Sequence, residues 1–459
     1  MKRKSLSYRW LMATLPLLGG AFPAAAAEPP LCVAVPCMPS RSEMAKLPNN
    51  LLSTYFKAHV PDANDRFGSS VAISADGNRL AIVAPCENSD ARGIGGDATN
   101  DSATDSGAVY VFSRLSGQWL MEAYLKADNS DPYDGFGSAL AFSADGAMLV
   151  VGSPGEDSAS SVWWAHGNDG DNSLPGAGAA YIFHFHDDQW NQVRYVKASH
   201  PGANDAFGTA VAISADGYWI AVGAPKEDSS DHWDDPYGEP PNESGTNAGA
   251  VYVYYYSWSF SNNFWWLSDY VKASNIDAHD EFGSSVTLDA DGGTLSVGAP
   301  GEDSTATSIN GDQANNNASA AGAAYIFQRN GWEFVQSRYL KAFNAGAGDR
   351  FGSALALSAD GLSLAVGAPR EDGSGSGIEP ASNNGSSDAG AVYLFHKNHQ
   401  AWNPGIYLKA SNPGINDWFG YSVALDGDGQ HLLVGAPWED SAADGLDGAQ
   451  NSNAATDAG

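Results

Sequence analysis

Apolar and polar residues alternate in short bursts along most of this chain, and the bursts recur at a long, nearly constant interval. Ser70-Val71-Ala72-Ile73 alternates small and apolar residues, the period-two pattern of a half-buried strand, here strand A. An Asp-Gly pair follows each such strand, at Asp76-Gly77, Asp145-Gly146, Asp216-Gly217, Asp291-Gly292, Asp360-Gly361 and Asp428-Gly429. Between apolar runs Asp-Gly predicts a hairpin, because glycine accepts the positive φ that the turn requires. Strand B follows, as in Leu364-Ala365-Val366-Gly367, and Pro369 ends it. A polar loop of roughly 20 residues comes next. Strand C is Gly107 to Phe112 or its equivalents, such as Gly390 to Phe395, and a turn and a Trp lead to strand D. Strand D ends in Lys-Ala, at Lys57, Lys126, Lys197, Lys272, Lys341 and Lys409.

A Phe-Gly pair opens each unit, at Phe67, Phe136, Phe207, Phe282, Phe351 and Phe419. A Gly-Ala-Pro-like triplet closes strand B, with its proline at Pro85, Pro154, Pro225, Pro300, Pro369 and Pro437. Successive Phe positions lie 69, 71, 75, 69 and 68 apart. Four antiparallel strands per unit, repeated at this period without helices, predict an all-β propeller with one blade per unit. The first predicted strand, Thr54 to Lys57, is a D strand, and Gly459 falls where strand C of the sixth unit should begin. The order D, five A-B-C-D sets, then A-B predicts a propeller truncated at its C-terminus, with six or seven blades in the complete protein.

Composition narrows the function classes. Lys plus Arg number 23 against 54 Asp plus Glu, a formal net charge of −31. Such a surface repels nucleic acid and anionic membranes and suits solubility in a salty exterior or a cationic partner. Residues 1–27 read as a secretory signal. Lys2, Arg3 and Lys4 precede an apolar stretch from Trp10 to Phe22, and Ala25-Ala26-Ala27 forms a cleavage site. The apolar stretch is too short to span a bilayer comfortably, and no later segment is apolar enough to do so. The expected location is therefore secreted, periplasmic or cell-surface. Residues 28–50 form a Pro-rich, extended arm, and 51–459 the propeller. Cys32, Cys37 and Cys86 would meet an oxidising compartment. A bridge from Cys86 to Cys32 or Cys37 would staple the arm to the first unit and leave one thiol over.

Six Phe-Gly and Gly-Ala-Pro elements in register, each with Asp-Gly or Gly-Ala-Val-Tyr at matching offsets, resemble the FG-GAP repeats of the integrin α-subunit β-propeller, in a bacterial secreted form. The resemblance covers Leu52 to Gly459. It implies a ligand-binding or adhesion module. In that family, metal-binding copies carry a D-x-[DN]-x-D-G-x-x-D loop between strands A and B. Here the last position of that loop is Arg79, Met148, Trp219, Thr294, Ser363 or His431, never an acid. Only Asp289-Ala290-Asp291 and Asp426-Gly427-Asp428 keep two acids. The A–B turns are therefore expected to be tight and metal-free. Calcium is left to the acidic B–C loops, which offer some of the six to eight oxygens it needs.

The recurring acids are the next candidates. Glu87, Glu156, Glu227, Glu302, Glu371 and Glu439 follow the proline, and Asp65, Asp134, Asp205, Asp280, Asp349 and Asp417 precede Phe-Gly. Paired carboxylates suit acid–base catalysis. Sixfold repetition points instead to a structural role, in which they hold loop backbone and pair with the strand-D lysines. His184 and His186 alternate on one strand face, and nothing in the sequence supplies further zinc ligands. The run from Tyr254 to Trp266 is expected to pack on a blade edge. Trp163, Trp164, His232, Trp233 and Tyr237 in two adjacent B–C loops have no counterparts in other units. They are the candidate ligand-binding residues, a platform for sugar rings or a partner's side chains, set against the plainer reading of packing within their loops. The sequence thus predicts a non-enzymatic recognition or adhesion module binding protein or carbohydrate through its B–C loop face. The alternative is a scaffold propeller of a larger secreted enzyme whose catalytic domain lies elsewhere.

Overall fold

Strands form where the alternation predicts them, and their pairing builds one antiparallel sheet per repeat. The structure is a computed structural model. It describes residues 54–459 except 162–169, 233–241, 260–261, 400, 443–449, 451–454 and 456–458. The chain divides into two units, Met1–Phe56 and Lys57–Gly459, and every described strand belongs to the second. The described residues contain no helix.

The first sheet is β1 (Val71–Ile73), β2 (Arg79–Ala84), β3 (Ala108–Leu115) and β4 (Gln118–Leu125). The second is β5 (Ala139–Phe142), β6 (Met148–Ser153), β7 (Ala179–His186) and β8 (Gln189–Val196). The third is β9 (Ala210–Ile213), β10 (Trp219–Ala224), β11 (Ala250–Ser259) and β12 (Asn262–Val271). The fourth is β13 (Ser285–Leu288), β14 (Thr294–Ala299), β15 (Ala323–Asn330) and β16 (Glu333–Leu340). The fifth holds β17 (Ala354–Leu357), β18 (Ser363–Ala368), β19 (Gly377–Ile378), β20 (Ala391–Asn398), β21 (Ala401–Trp402) and β22 (Ile406–Lys409). Its extra strand, β19, comes from the B–C loop and pairs with the outer edge of β22. The sixth is the hairpin β23 (Ser422–Leu425) and β24 (Leu432–Gly435). The first four sheets are meanders in chain order, each a four-stranded blade of a β-propeller; the fifth keeps that meander as β17-β18-β20-β22.

Thr54–Lys57 is not a strand, contrary to the sequence expectation. A D strand is held by its ladder to a C strand, and none follows β24 among the described residues.

The Asp-Gly turns are held by their own side chains. Ser74 Oγ donates to Asp76 Oδ1 (2.6 Å), which also accepts the Asn78 N–H (3.0 Å). Ser143–Asp145, Ser214–Asp216 and Ser358–Asp360 repeat the first bond. The turns are then joined from sheet to sheet by backbone. Ala75 N–H donates to Ala144 C=O (2.9 Å), Ala144 to Ala215 (3.0 Å), Ala215 to Ala290 (3.0 Å), Ala290 to Ala359 (2.9 Å) and Ala359 to Gly427 (3.0 Å).

Between sheets the core is apolar on both sides. One cluster unites Trp219, Val251 and Val253 of the third sheet with Leu295, Val297 and Tyr325 of the fourth. The Phe of the Phe-Gly pair in each of the first five units meets a strand-C tyrosine edge-on: Phe67–Tyr110 at 5.2 Å, Phe136–Tyr181 at 5.3 Å, Phe207–Tyr252 at 5.4 Å, Phe282–Tyr325 at 5.4 Å and Phe351–Tyr393 at 5.3 Å. Such pairs add about 0.5–1.5 kcal/mol each to their burial.

The motif glycines sit where two backbones touch. A Cβ on Gly223, at the end of strand B, would lie 2.0 Å from the carbonyl oxygen of Gly283 in the next Phe-Gly pair. The same holds for Gly152 with Gly208 (1.9 Å), Gly298 with Gly352 (2.0 Å) and Gly367 with Gly420 (2.1 Å). Gly223→Ala should therefore lower the melting temperature by the equivalent of about 3 kcal/mol or more, an overpacking that backbone cannot relieve. Gly331, in an open turn with φ of 72° and nothing within 4 Å of its Cβ direction, should cost only about 1–2 kcal/mol as alanine. Thermal unfolding followed by circular dichroism compares the two, and equal losses would remove the close-contact explanation.

Candidate functional site

The acid after the proline is consumed by a buried network inside its own sheet. Lys197 Nζ meets Glu156 Oε2 at 2.7 Å and Tyr195 donates to Glu156 Oε1 at 2.7 Å. Lys272–Glu227 (2.7 Å), Lys341–Glu302 (2.8 Å) and Lys409–Glu371 (2.7 Å) repeat the pair, each with its tyrosine. In the first sheet Lys126 bonds Glu87 (2.8 Å), while Tyr124 bonds Ser89 instead. An asparagine from the preceding D–A loop links neighbouring sheets. Asn129 donates to Glu156 and accepts from Tyr181, and Asn275 and Asn344 do the same for Glu302 with Tyr325 and Glu371 with Tyr393. Burial pulls each of these lysines below the usual ammonium range, with the glutamate beside it acting in the opposite direction. Each lysine–glutamate pair forms within one blade, not between neighbours.

The Asp before Phe-Gly caps its own loop. Asp134 Oδ2 accepts the Asp131 N–H (2.9 Å), and Asp205, Asp349 and Asp417 accept the N–H three residues earlier. Burial pushes Asp134 and Asp280 up to about 8, and Asp205 and Asp349 up to about 7. For Asp280 the neighbouring Glu302 carboxylate adds to burial, and its Oδ2 is buried without a hydrogen bond.

Among the sequence-derived ligand candidates, Trp163, Trp164, Trp233 and Tyr237 lie outside the described residues. His232 is exposed. Cys86 is half-buried and burial raises its thiol; Cys32 and Cys37 lie outside the described residues. In the sixth A–B turn, Asp426, Asp428 and His431 bring ligand atoms within 4.8 Å of one another. There His431 Nδ1 hydrogen-bonds to Asp426 Oδ2. The His431 backbone N–H and ring together hold the Asp426 carboxyl down at about 2.

The aromatic run does more than cover a blade edge. It forms the β11–β12 hairpin, whose strands are ten residues long against eight in the equivalent hairpins of the first, second and fourth sheets. Tyr254 enters the core, whereas Tyr256 and Trp265 wall a cleft of about 730 Å³ between the second and third sheets. The opposite wall carries Met148, His184, His186, Gln192, Val193 and Arg194, and Asp145 and Asp216 stand at the turns. The rings of Tyr218 and Tyr256 stack at 6.0 Å, and those of His184 and His186 at 5.8 Å. Burial, then the neighbouring His186, lowers the His184 pKa.

Comparing neighbouring interfaces explains why there is a cleft here. Between the first and second sheets the corresponding space is filled. Arg79 pairs with Glu122 (2.8 Å) and lies over the Phe185 ring (4.0 Å), and Trp190 Nε1 donates to Glu122 (3.1 Å). Between the third and fourth, Trp219 packs against Arg329 (4.5 Å) and Phe334 (5.9 Å). At the second-to-third interface the repeat positions of Arg79 and Glu122 are held by Met148 and Val193. Trp265 occupies the position of Trp190, and its indole N–H is buried with no hydrogen-bond partner among the described residues.

The fold and these interfaces define a β-propeller built from repeated four-stranded antiparallel blades. A family model for the FG-GAP repeat matches residues 190–254, 334–395 and 402–455, so this β-propeller carries FG-GAP repeats in those three regions. No curated protein matches it by sequence. Similar solved structures include a candidate 6-phosphogluconolactonase from Bacteroides uniformis, at 12% identity and TM-score 0.47, covering 81% of this chain and 78% of that one. Hydrazine synthase from Kuenenia stuttgartiensis is similar at 14% identity and TM-score 0.42, covering 84% and 78%. The Cps50 (Swd1) β-propeller domain of Myceliophteria thermophila is similar at 12% and 0.36, covering 80% and 92%.

Two outcomes follow from the buried charges. Lys341→Met leaves Glu302 buried without its cation and should cost about 3–5 kcal/mol, most of it recovered in Lys341→Met/Glu302→Leu. Denaturant melts of the three proteins check this, and a single variant as stable as wild type would contradict it. Burial and the neighbouring Glu302 carboxylate push the Asp280 carboxyl up to about 8 in the folded protein, against an ordinary value of 3.8. Between those values the folded state holds the proton that the unfolded chain releases, so this group's contribution to stability falls as pH rises from about 4 to 8. Asp280→Asn should therefore gain in melting temperature relative to wild type between pH 5 and pH 8.5. A pH-independent difference would show that Asp280 is ionised in the folded protein.

Proposed function

We propose that this propeller is a non-enzymatic recognition module, secreted or exposed at a surface, that binds a protein or carbohydrate ligand. One observation carries the reading. From Glu87 to Glu371, the acids that follow the proline are tied into the same lysine-centred buried network. That leaves binding chemistry to the parts of the chain that depart from the repeat. Those parts are the aromatic B–C loops of the second and third units and the cleft between the second and third sheets. Loops and clefts on a rigid scaffold are where such folds carry function. FG-GAP repeats are typical of extracellular proteins, and residues 1–27 have the pattern of an export signal. No helix among the described residues is long and apolar enough to cross a membrane.

The test uses the chain from Glu28 onward on combined protein and glycan arrays. Wild type should retain at least one ligand without altering it chemically. Loss of binding in Trp164→Ala/Trp233→Ala, at an unchanged melting temperature, assigns the contact to the B–C face; loss in Tyr218→Ala assigns it to the cleft. Turnover of a captured ligand, or no capture on either array, would overturn the recognition reading.

A further inference from the structure

We infer that the cleft between the second and third sheets binds a neutral glycan of a few sugar residues, an inference that rests on the recognition reading above. The cleft holds an orphaned donor. Trp265 is only 2% exposed, and its indole N–H has no acceptor among the described residues. A buried N–H left unpaired costs about 1–3 kcal/mol. In the preceding interface the equivalent N–H is satisfied by Glu122. At this interface Val193 stands in that position and offers no acceptor, which leaves the N–H open to one brought into the cleft. A ligand hydroxyl is such an acceptor.

The cleft also lacks the plug of its neighbour. Arg79 and Glu122 fill the equivalent space one interface earlier, whereas Met148 and Val193 are shorter or uncharged and leave about 730 Å³ open. That volume falls within the roughly 300–1,000 Å³ of small-molecule sites.

The lining suits a sugar. Tyr218 and Tyr256 present ring surface, and Tyr218 is 37% exposed. A sugar offers an apolar C–H face to such rings and hydroxyls that both donate and accept. Asp145 and Asp216 each use Oδ1 in their turns, and Oδ2 of each has no partner among the described residues. Together with Gln192 and the two histidines they supply acceptors and donors at the rim. An acidic ligand meets Asp145, Asp216 and a chain of net charge −31, with Arg194 as the compensating cation in the cleft. A purely apolar ligand would leave the carboxylates and the Trp265 N–H unanswered.

The experiment restores the plug. Met148→Arg/Val193→Glu places the Arg79–Glu122 pair and the indole acceptor in the cleft. Wild type is titrated calorimetrically with gluco-, manno-, galacto- and xylo-oligosaccharides of two to four residues, and with sulfated counterparts. At least one neutral series should bind. The plugged variant should lose that affinity at least 100-fold while melting no lower than wild type, and Tyr218→Ala should lose it 10-fold or more. In ¹⁵N spectra the indole resonance missing from Trp265→Phe should move downfield when the neutral sugar saturates wild type. Unchanged sugar binding in the plugged variant overturns the site and leaves the recognition reading standing. Binding of only sulfated sugars, or of no sugar while the arrays capture a protein, overturns the neutral-glycan assignment. If the plugged variant fails to fold, the Tyr218→Ala titration and the Trp265 resonance still decide, and an unmoved resonance at saturation refutes the proposal.

Discussion

The contact on which this structure depends is backbone against backbone. At the end of strand B, a glycine lies against the carbonyl of the glycine that follows Phe in the next sheet, with no room for a methyl group between them. Close approach of this kind lets the neighbouring sheets bury their apolar faces fully, and Ala221, Val222, Val297 and Val366 are all inaccessible to solvent. It also brings the turns of successive sheets near enough for the chain of amide bonds from Ala75 to Gly427. Where no neighbour packs among the described residues, the same strands stay open. Val71 and Ile73 of β1 and Leu433 of β24 are exposed, although the repeat equivalents of Leu433 are buried.

Once the sheets are that close, their polar loop residues lose water and need internal partners. The lysine that ends strand D, the glutamate after the proline and the strand-D tyrosine meet that need within one sheet. The asparagine bridges carry the network to the next sheet. Buried pairs of this kind add little net stability over an apolar core, and removing one member is what destabilises. Each loop has one seat for its carboxylate, which fixes the loop's register on its sheet. The buried aspartates beside them remain protonated to higher pH because burial, rather than any single neighbour, sets their pKa.

Against this uniform background, a departure from the repeat is informative when two departures face each other. Met148 and Val193 are unremarkable one at a time. Together they replace an ion pair that fills the adjacent interface, and the long β11–β12 hairpin walls the space that results. The outcome is a recess lined by rings and hydrogen-bonding groups in a molecule whose other recurring acids are already engaged.

The sequence by itself determined the all-β class, the four-strand order, the Asp-Gly turns and the structural role of the recurring acids. Each of these is written in local alternation, in turn chemistry or in repetition along the chain. It also pointed to Trp163, Trp164, Trp233 and Tyr237 in the B–C loops, which lie outside the described residues. It misjudged Thr54–Lys57, because a strand's existence depends on a partner that local pattern does not supply. The cleft was decided by tertiary structure alone. Aligning the repeats shows that Arg79 and Glu122 give way to Met148 and Val193. Only the packing of one sheet on the next shows that those positions share a space, and that Trp265 reaches it with an unsatisfied N–H.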